Sequence, residues 1–430
     1  MGNILNILVE NYFGKNVKDY RIPNGIHRLL PKVNDSKITM VKSGGPFFSN
    51  DILNNFEINM IDLKSKLDDS KKYLYVIELN TPKGLYSSFH SIPKKVIDLV
   101  NQDRCNVIFD YEHEGQFDYE EYGEWYNQNV EYLEDYVKLD NFYFIISDLS
   151  SKSTLNKDLK INIVDSYYFL EQFALDLEKI NYKTELKDFD YNFEIKDISD
   201  IDFTKKKKKF LSYMRNCVKP HRMSLGCFFE YNNMWDNNNI SFLKANDFLK
   251  ESHFPNSILD EKYRNSYNSL VKDDIPIQID THNFKKDELP HFSTTFAGDW
   301  EHYQETFLSV VSETLFDTEN IFLSEKICKP IINLHPFIVM SSRGTLSKLR
   351  EFGFKTFSPF INENYDDIKS DKTRLEKIFE ELLRINTMSD DELLNWWKEI
   401  LPILEHNQKH LVSFSKSKTT KQKLLEDLYG

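Results

Sequence analysis

The feature that most constrains this chain is an alternation carried along its length. Short, almost wholly apolar runs are separated by amphipathic stretches. A run of four to eight apolar residues without polar alternation suits a strand buried on both faces, and an amphipathic stretch suits the helix that covers it. The first half offers Tyr73–Leu79 (YLYVIEL), Asn106–Asp110 (NVIFD), Phe142–Ile146 (FYFII) and Ile161–Val164 as strands. Ile92–Val100 reads as a helix with a proline near its start, where the ring costs no hydrogen bond. Asn106–Asp110 ends in an acid and runs into a polar loop, Tyr111–Gly115 (YEHEG).

The second half repeats the pattern. Strands are predicted at Phe210–Tyr213, Ile240–Leu243, Ile275–Asp280, Phe307–Val311 and Phe337–Met340, and another begins at Lys355–Phe357. Helices are predicted over Met223–Tyr231, from Ser324 to about Asn333, and over Thr345–Phe352, with Gly353 as the stop. Strand–helix–strand units of this kind are right-handed and parallel by default. The expected fold class is therefore α/β with parallel sheets. The tail reads as helical: Arg374–Ile385 has apolar residues at helical spacing, Ser389 with Glu392 forms a capping box, and Leu393 to Leu411 continues.

At 430 residues the chain is long enough for about two domains. Between about Asn181 and Thr204 the sequence turns acidic and loses periodicity, then flips to five lysines, Lys205–Lys209. A charge run of this kind reads as a solvated linker. The predicted division is residues 1–204, residues 205–392, and C-terminal helices over 393–430.

The formal net charge is -13. That argues against general nucleic-acid binding, which needs a basic footprint, although a local basic groove stays open. The four cysteines, Cys105, Cys217, Cys227 and Cys328, form no C-x-x-C pair. Sparse cysteine of this kind suits a reducing cytoplasm rather than a zinc knuckle or a redox dithiol. The N-terminus lacks the basic start and apolar core of a signal peptide, and Asn6 stands where a myristoylation signal wants Ser or Thr. No apolar run approaches the ~18 residues of a membrane span. The expected location is cytoplasmic.

Chemistry concentrates in Phe322-Leu-Ser-Glu-Lys-Ile-Cys-Lys-Pro330, followed by His335-Pro336-Phe337-Ile-Val-Met340. A capping serine, an acid and two lysines open a helix that precedes a buried strand. A helix start attracts phosphate through free N–H groups and the macrodipole, and Lys326 adds a full charge. Glu325 is able to accept from ribose hydroxyls. An ordinary capped amphipathic helix carries the same pattern.

This stretch resembles the donor-binding signature of GT-B glycosyltransferases in the fucosyltransferase and exostosin-like group, where a Thr/Ser-Glu-Lys triplet opens the helix facing the nucleotide sugar. Ser324-Glu325-Lys326 matches it residue by residue. His335–Val339, Gly344–Leu346 and Leu349–Phe357 extend the likeness, which spans Glu313–Phe357. Lys209–Arg222 resembles the strand–loop–helix that opens the C-terminal domain of the same group.

The resemblance implies two Rossmann-like domains facing across a cleft, with the C-terminal helices packing back on the first. It places a nucleotide sugar on Arg222, with Arg215 as second choice, and on Ser312, Glu313, Thr314, Ser324, Glu325 and Lys326. It implies an inverting transfer to a hydroxyl acceptor on a glycan, a protein or a modified base, with no cofactor and no metal. The base is expected in the loop after Asn106–Asp110: Glu114 first, then His113, then Glu112, with Asp110 at its start. A non-catalytic binding protein on the same scaffold, or a glycosyltransferase acting on modified nucleic acid, are the competing readings.

Other motifs are weaker. Asp188-Phe-Asp190 and Asp200-Ile-Asp202 have the Asp-x-Asp form of metal-binding transferases but lie in the acidic stretch. His406 and His410 share a helix face without the glutamate of a metalloprotease, and read as surface residues.

Overall fold

The computed structural model describes residues 3–9, 56–78, 92–111, 137–147, 161–166, 170, 171, 173, 174, 177, 195–214, 217, 219–242, 254–272, 300–414 and 416–429. The chain is mixed α/β and forms two compact units. Met1–Tyr168 and Lys418–Gly430 make the first, and Phe169–Ser417 makes the second.

The first unit is built on a parallel sheet of six strands: β1 (Asn3–Val9), β2 (Phe56–Asp62), β3 (Tyr73–Glu78), β4 (Cys105–Tyr111), β5 (Phe142–Ile146) and β6 (Asn162–Asp165). Their order across the sheet is β2-β1-β3-β4-β5-β6. Successive side chains of a strand point to opposite faces, and the core divides accordingly. Tyr73, Tyr75, Val107, Phe109, Phe142 and Phe144 pack with Val96, Leu99 and Val100 of helix α1 (Lys94–Asn101). Leu74, Val76, Ile108 and Ile145 pack on the other face with Leu425.

The second unit holds a separate parallel sheet: β7 (Lys208–Met214), β8 (Asn239–Phe242), β9 (Thr306–Ser312) and β10 (Phe337–Met340), in the order β10-β9-β7-β8. Every residue of β8, β9 and β10 is buried, as the apolar runs require. Among the described residues its helices include α2 (Pro220–Tyr231), α3 (Arg264–Lys272), α4 (Trp300–Glu305), α5 (Glu325–Ile332), α6 (Thr345–Glu351), α7 (Asp371–Thr387) and α8 (Asp390–Phe414). The last described helix, α9 (Thr420–Tyr429), belongs to the first unit and carries Leu425. Tyr429 ties it down: its hydroxyl donates to Tyr73 O at 2.6 Å and accepts from Asn106 Nδ2 at 3.0 Å.

The units divide at Tyr168 rather than near Lys205. The acidic stretch and the lysine run are stitched into the second unit. Gln304 accepts from Asp202 N at 2.7 Å and donates to Asp200 O at 3.2 Å, and Gln408 donates to Lys196 O at 2.8 Å. Nor is the lysine run a solvated linker. Lys205 pairs with Glu301, Lys208 with Glu305 and Lys209 with Asp390. Lys206 is buried, donates to Thr306 O at 2.7 Å, and lies 3.7 Å from the centre of the Trp397 ring. Burial pushes its pKa well below the usual lysine range.

Of the C-terminal helices, α8 stays with the second unit, where Trp397 Nε1 donates to Phe307 O at 2.7 Å. Lys355–Phe357 is not a strand. The backbone of Lys355 exchanges two 2.8 Å hydrogen bonds with the Asn407 amide, and Phe357 N donates to Glu363, so side chains take the place of a ladder. The predicted segment Ile275–Asp280 lies outside the described residues.

Helix α2 starts three residues earlier than its apolar pattern suggests, because Pro220 occupies the first turn. It crosses close to β8. A Cβ on Gly226 would stand 2.5 Å from the Phe242 ring, which is itself buried. Gly226→Ala is therefore expected to lower stability by about 1–3 kcal/mol through overpacking. A shift of the denaturation midpoint at unchanged slope would show it, and a wild-type midpoint would mean that the ring yields freely.

Candidate functional site

In the second sheet the chain passes from β7 to β8 on one side, then crosses to β9 on the other. The carboxyl ends of β7 and β9 thus form a topological switch point, where open parallel sheets make their binding crevices. Ser312 ends β9 there, and Glu313 and Thr314 follow it. Arg222 comes from the first turn of α2, and Ser324, Glu325 and Lys326 open α5.

Glu313 organises the cluster. Its side chain is fully buried, yet each oxygen faces donors. Oε2 accepts from Ser324 Oγ at 2.5 Å and from Thr314 N at 3.2 Å, while Oε1 accepts from Ser324 N at 3.3 Å. Burial raises its pKa, and Lys326 and Ser324 oppose that rise. Ser324, its proton committed to Glu313, caps α5 by accepting from Lys326 N at 3.2 Å.

Lys326 Nζ then meets three oxygens: Thr314 Oγ1 and Ser324 Oγ at 3.2 Å each, and Glu325 Oε1 at 3.3 Å. Burial works against the charge on Glu325, but Lys326 and Lys329 beside it hold its pKa below the ordinary value.

Arg222 is mostly buried, and its Nη2 donates to the carbonyls of Glu313 at 3.1 Å and Ser312 at 3.4 Å. The guanidinium therefore braces the end of β9. The Ser312 hydroxyl lies 3.8 Å from Met340 Sδ, inside the sheet edge. Next to Arg222, His221 Nε2 hydrogen-bonds to Glu313 O at 2.9 Å. A carbonyl only accepts, so Nε2 carries the proton and Nδ1 is an acceptor, one that has no hydrogen-bond partner among the described residues. Burial, with Arg222 close by, drives the His221 pKa down to about 3.

The three helices that follow β7, β9 and β10 begin differently. Helix α2 has no side-chain cap, and α5 is capped by Ser324. The start of α6 is closed by Asp366, whose two carboxylate oxygens accept from Leu346 N and Ser347 N at 2.9 Å each.

Arg215, Glu112, His113 and Glu114 lie outside the described residues, as do Asp188 and Asp190. Asp110 is described. It stands one residue before the end of β4 in the first unit, in a buried ion pair with its Oδ2 2.9 Å from Lys421 Nζ. Asp200 and Asp202 spend their carboxylates on short 3₁₀ turns, accepting from Asp197 N and Thr204 N. His406 and His410 are half-buried rather than surface residues. Their Nε2 atoms reach Gly353 O and Phe352 O, the carbonyls just past α6.

Sequence reasoning missed three residues that shape this edge: His221, Asp366 and Arg374. Arg374, almost wholly buried, donates to Ser341 O at 3.1 Å, Ile368 O at 2.9 Å and Phe316 O, over whose ring it sits at 4.5 Å. An arginine four residues before Ile378, on the helix face that carries Leu375, Ile378 and Leu382, was the signal. Compared with protein-family models and with curated proteins, the chain matches none.

The state of His221 is testable. Its folded pKa of about 3 lies below the unfolded value near 6.5, so only the unfolded chain binds a proton between them. Stability carried by neutral His221 is present above pH 6.5 and is lost as pH falls toward 3. The stability gap between wild type and His221→Phe should therefore shrink by about 1.4 kcal/mol per pH unit across that window. A gap that does not vary with pH, in urea titrations, would show that His221 is not held neutral.

Proposed function

We propose that the second unit binds a nucleotide sugar at the carboxyl ends of β7 and β9, and that the protein transfers the sugar to a hydroxyl acceptor. The observation that carries this reading is the convergence of Arg222, Thr314, Ser324, Glu325 and Lys326 on one switch point. These residues were chosen for a resemblance, and they come from two helix starts and a strand end. The crevice of a parallel sheet is where a nucleotide is ordinarily held. The uncapped start of α2 and the Lys326 ammonium supply the positive potential that a pyrophosphate needs.

On this reading the two parallel sheets are the two halves of a GT-B enzyme. Positive charge fixed near the donor phosphates stabilises the leaving pyrophosphate as its bond to the sugar breaks. Arg222, braced on the Ser312 and Glu313 carbonyls, keeps that charge in place without reorganising. The acceptor hydroxyl gives up its proton to a base in the loop after β4, with Glu114 the first choice and His113 and Glu112 behind it. The resulting oxygen attacks the anomeric carbon, and the nucleoside diphosphate departs.

Binding and chemistry separate experimentally. Lys326→Ala removes a charge-assisted contact worth ~1.5–3 kcal/mol, so nucleotide-sugar affinity should fall about ten- to a hundredfold, and turnover with it. Calorimetric titration against a panel of nucleotide sugars measures the first. Wild-type affinity in both Lys326→Ala and Arg222→Ala would sink the reading.

Glu114→Gln should instead lose about 10²–10⁴ in turnover with donor affinity little changed. Normal turnover in that variant removes Glu114 from the role. Activity is expected to survive chelation by EDTA. Loss restored by manganese would point to a metal-dependent transfer.

A further inference from the structure

The ammonium of Lys326 has three N–H donors, and three oxygens of this chain take them. A phosphate can engage that ammonium only by replacing one of the three. Two are poor candidates to leave. Thr314 and Ser324 are almost wholly buried, and Ser324 Oγ is held by Glu313 at 2.5 Å. The third is Glu325 Oε1, the longest of the contacts, on a side chain 23% exposed. Glu325 also has a second cation within reach. Lys329 lies one turn further along α5, at the i,i+4 spacing that favours an acid preceding a base, and it already attracts Glu325.

We propose that Glu325 is an internal counter-ion that occupies the phosphate position on Lys326 and swings to Lys329 when a phosphate-bearing ligand arrives. This rests on the reading of the site as a phosphate-binding one. The same edge also holds a buried acceptor that has no hydrogen-bond partner among the described residues: His221 Nδ1, in a ring 1% exposed. The swap gives the empty site a closed set of hydrogen bonds, so Lys326 is not left as a bare cation. It also frees the Glu325 carboxylate, on binding, to accept from a ligand hydroxyl. Bare phosphates then compete with Glu325 for nothing in return, whereas a ligand carrying a diol recovers the displaced carboxylate as a partner.

Inorganic pyrophosphate is the probe that isolates the counter-ion, because it has phosphate and no hydroxyl for Glu325 to engage. Glu325→Gln and Glu325→Ala should each bind it about two- to fivefold more tightly than wild type, the size expected for removing a partly exposed competing ion pair. Glu399→Gln, which removes the same charge from an exposed position on α8, should bind like wild type. Isothermal titration at fixed ionic strength reads all three.

If neither Glu325 variant gains affinity, or Glu399→Gln gains as much, Glu325 is not the displaced counter-ion. The donor-site reading fails separately, when Lys326→Ala and Arg222→Ala retain wild-type nucleotide-sugar affinity.

Discussion

A carboxylate removed from water at the end of a parallel strand has to find donors within the protein, and much of the second unit's edge is arranged around that requirement. Leaving a buried charge unmatched costs several kcal/mol. Glu313 meets the requirement with two backbone N–H groups and one hydroxyl. Each contact has a consequence further out. Ser324, with its proton committed, presents its lone pairs to α5 and to Lys326. The Glu313 carbonyl, held by His221 and Arg222, joins the start of α2 to the end of β9. One residue thereby fixes two helix starts against a single strand.

A second layer supports this edge. The His221 ring stacks on Phe316 at 5.3 Å, and the Arg374 guanidinium covers the same ring from α7. Arg374 also donates to carbonyls after β9, after β10 and before α7. Planar groups packed face to face give little room for rearrangement. Glu325 and Lys326, the less buried groups of the site, stand on that base.

The fold class was legible because buried parallel strands are short apolar runs bounded by turns: FLSVV and FIVM have no polar alternation, and both are strands. Helix starts were legible where a local residue makes the cap, as at Ser324 and at Ser389 with Glu392. Where the partner is distant in sequence it could not be read, although α6 itself was. Asp366 closes α6 from 20 residues away, and Asn407 satisfies Lys355 from 52. The lysine run misled for a related reason. Charge runs are solvated unless the fold delivers a separate partner to each member, and Lys206 receives carbonyls and an indole ring that no local pattern announces. The residues gathered at this edge were picked out by resemblance. Their geometry was not, since nothing in the triplet says that all three Lys326 donors are already taken.

Helix α9 gives the molecule a history as well as a shape. One face of the first sheet is completed by a segment made long after the strands it covers, and Asp110 is neutralised by a lysine 311 residues later. At a translation rate of 5–20 residues per second that interval is roughly 15–60 s. Through that time the nascent first unit has an apolar sheet face without its cover and a buried acid without its cation, while the whole second unit is being synthesised. The first unit to emerge is thus the last to be finished. Its completion reports that translation has passed residue 429, so the closing helix records that the whole second unit has already been made.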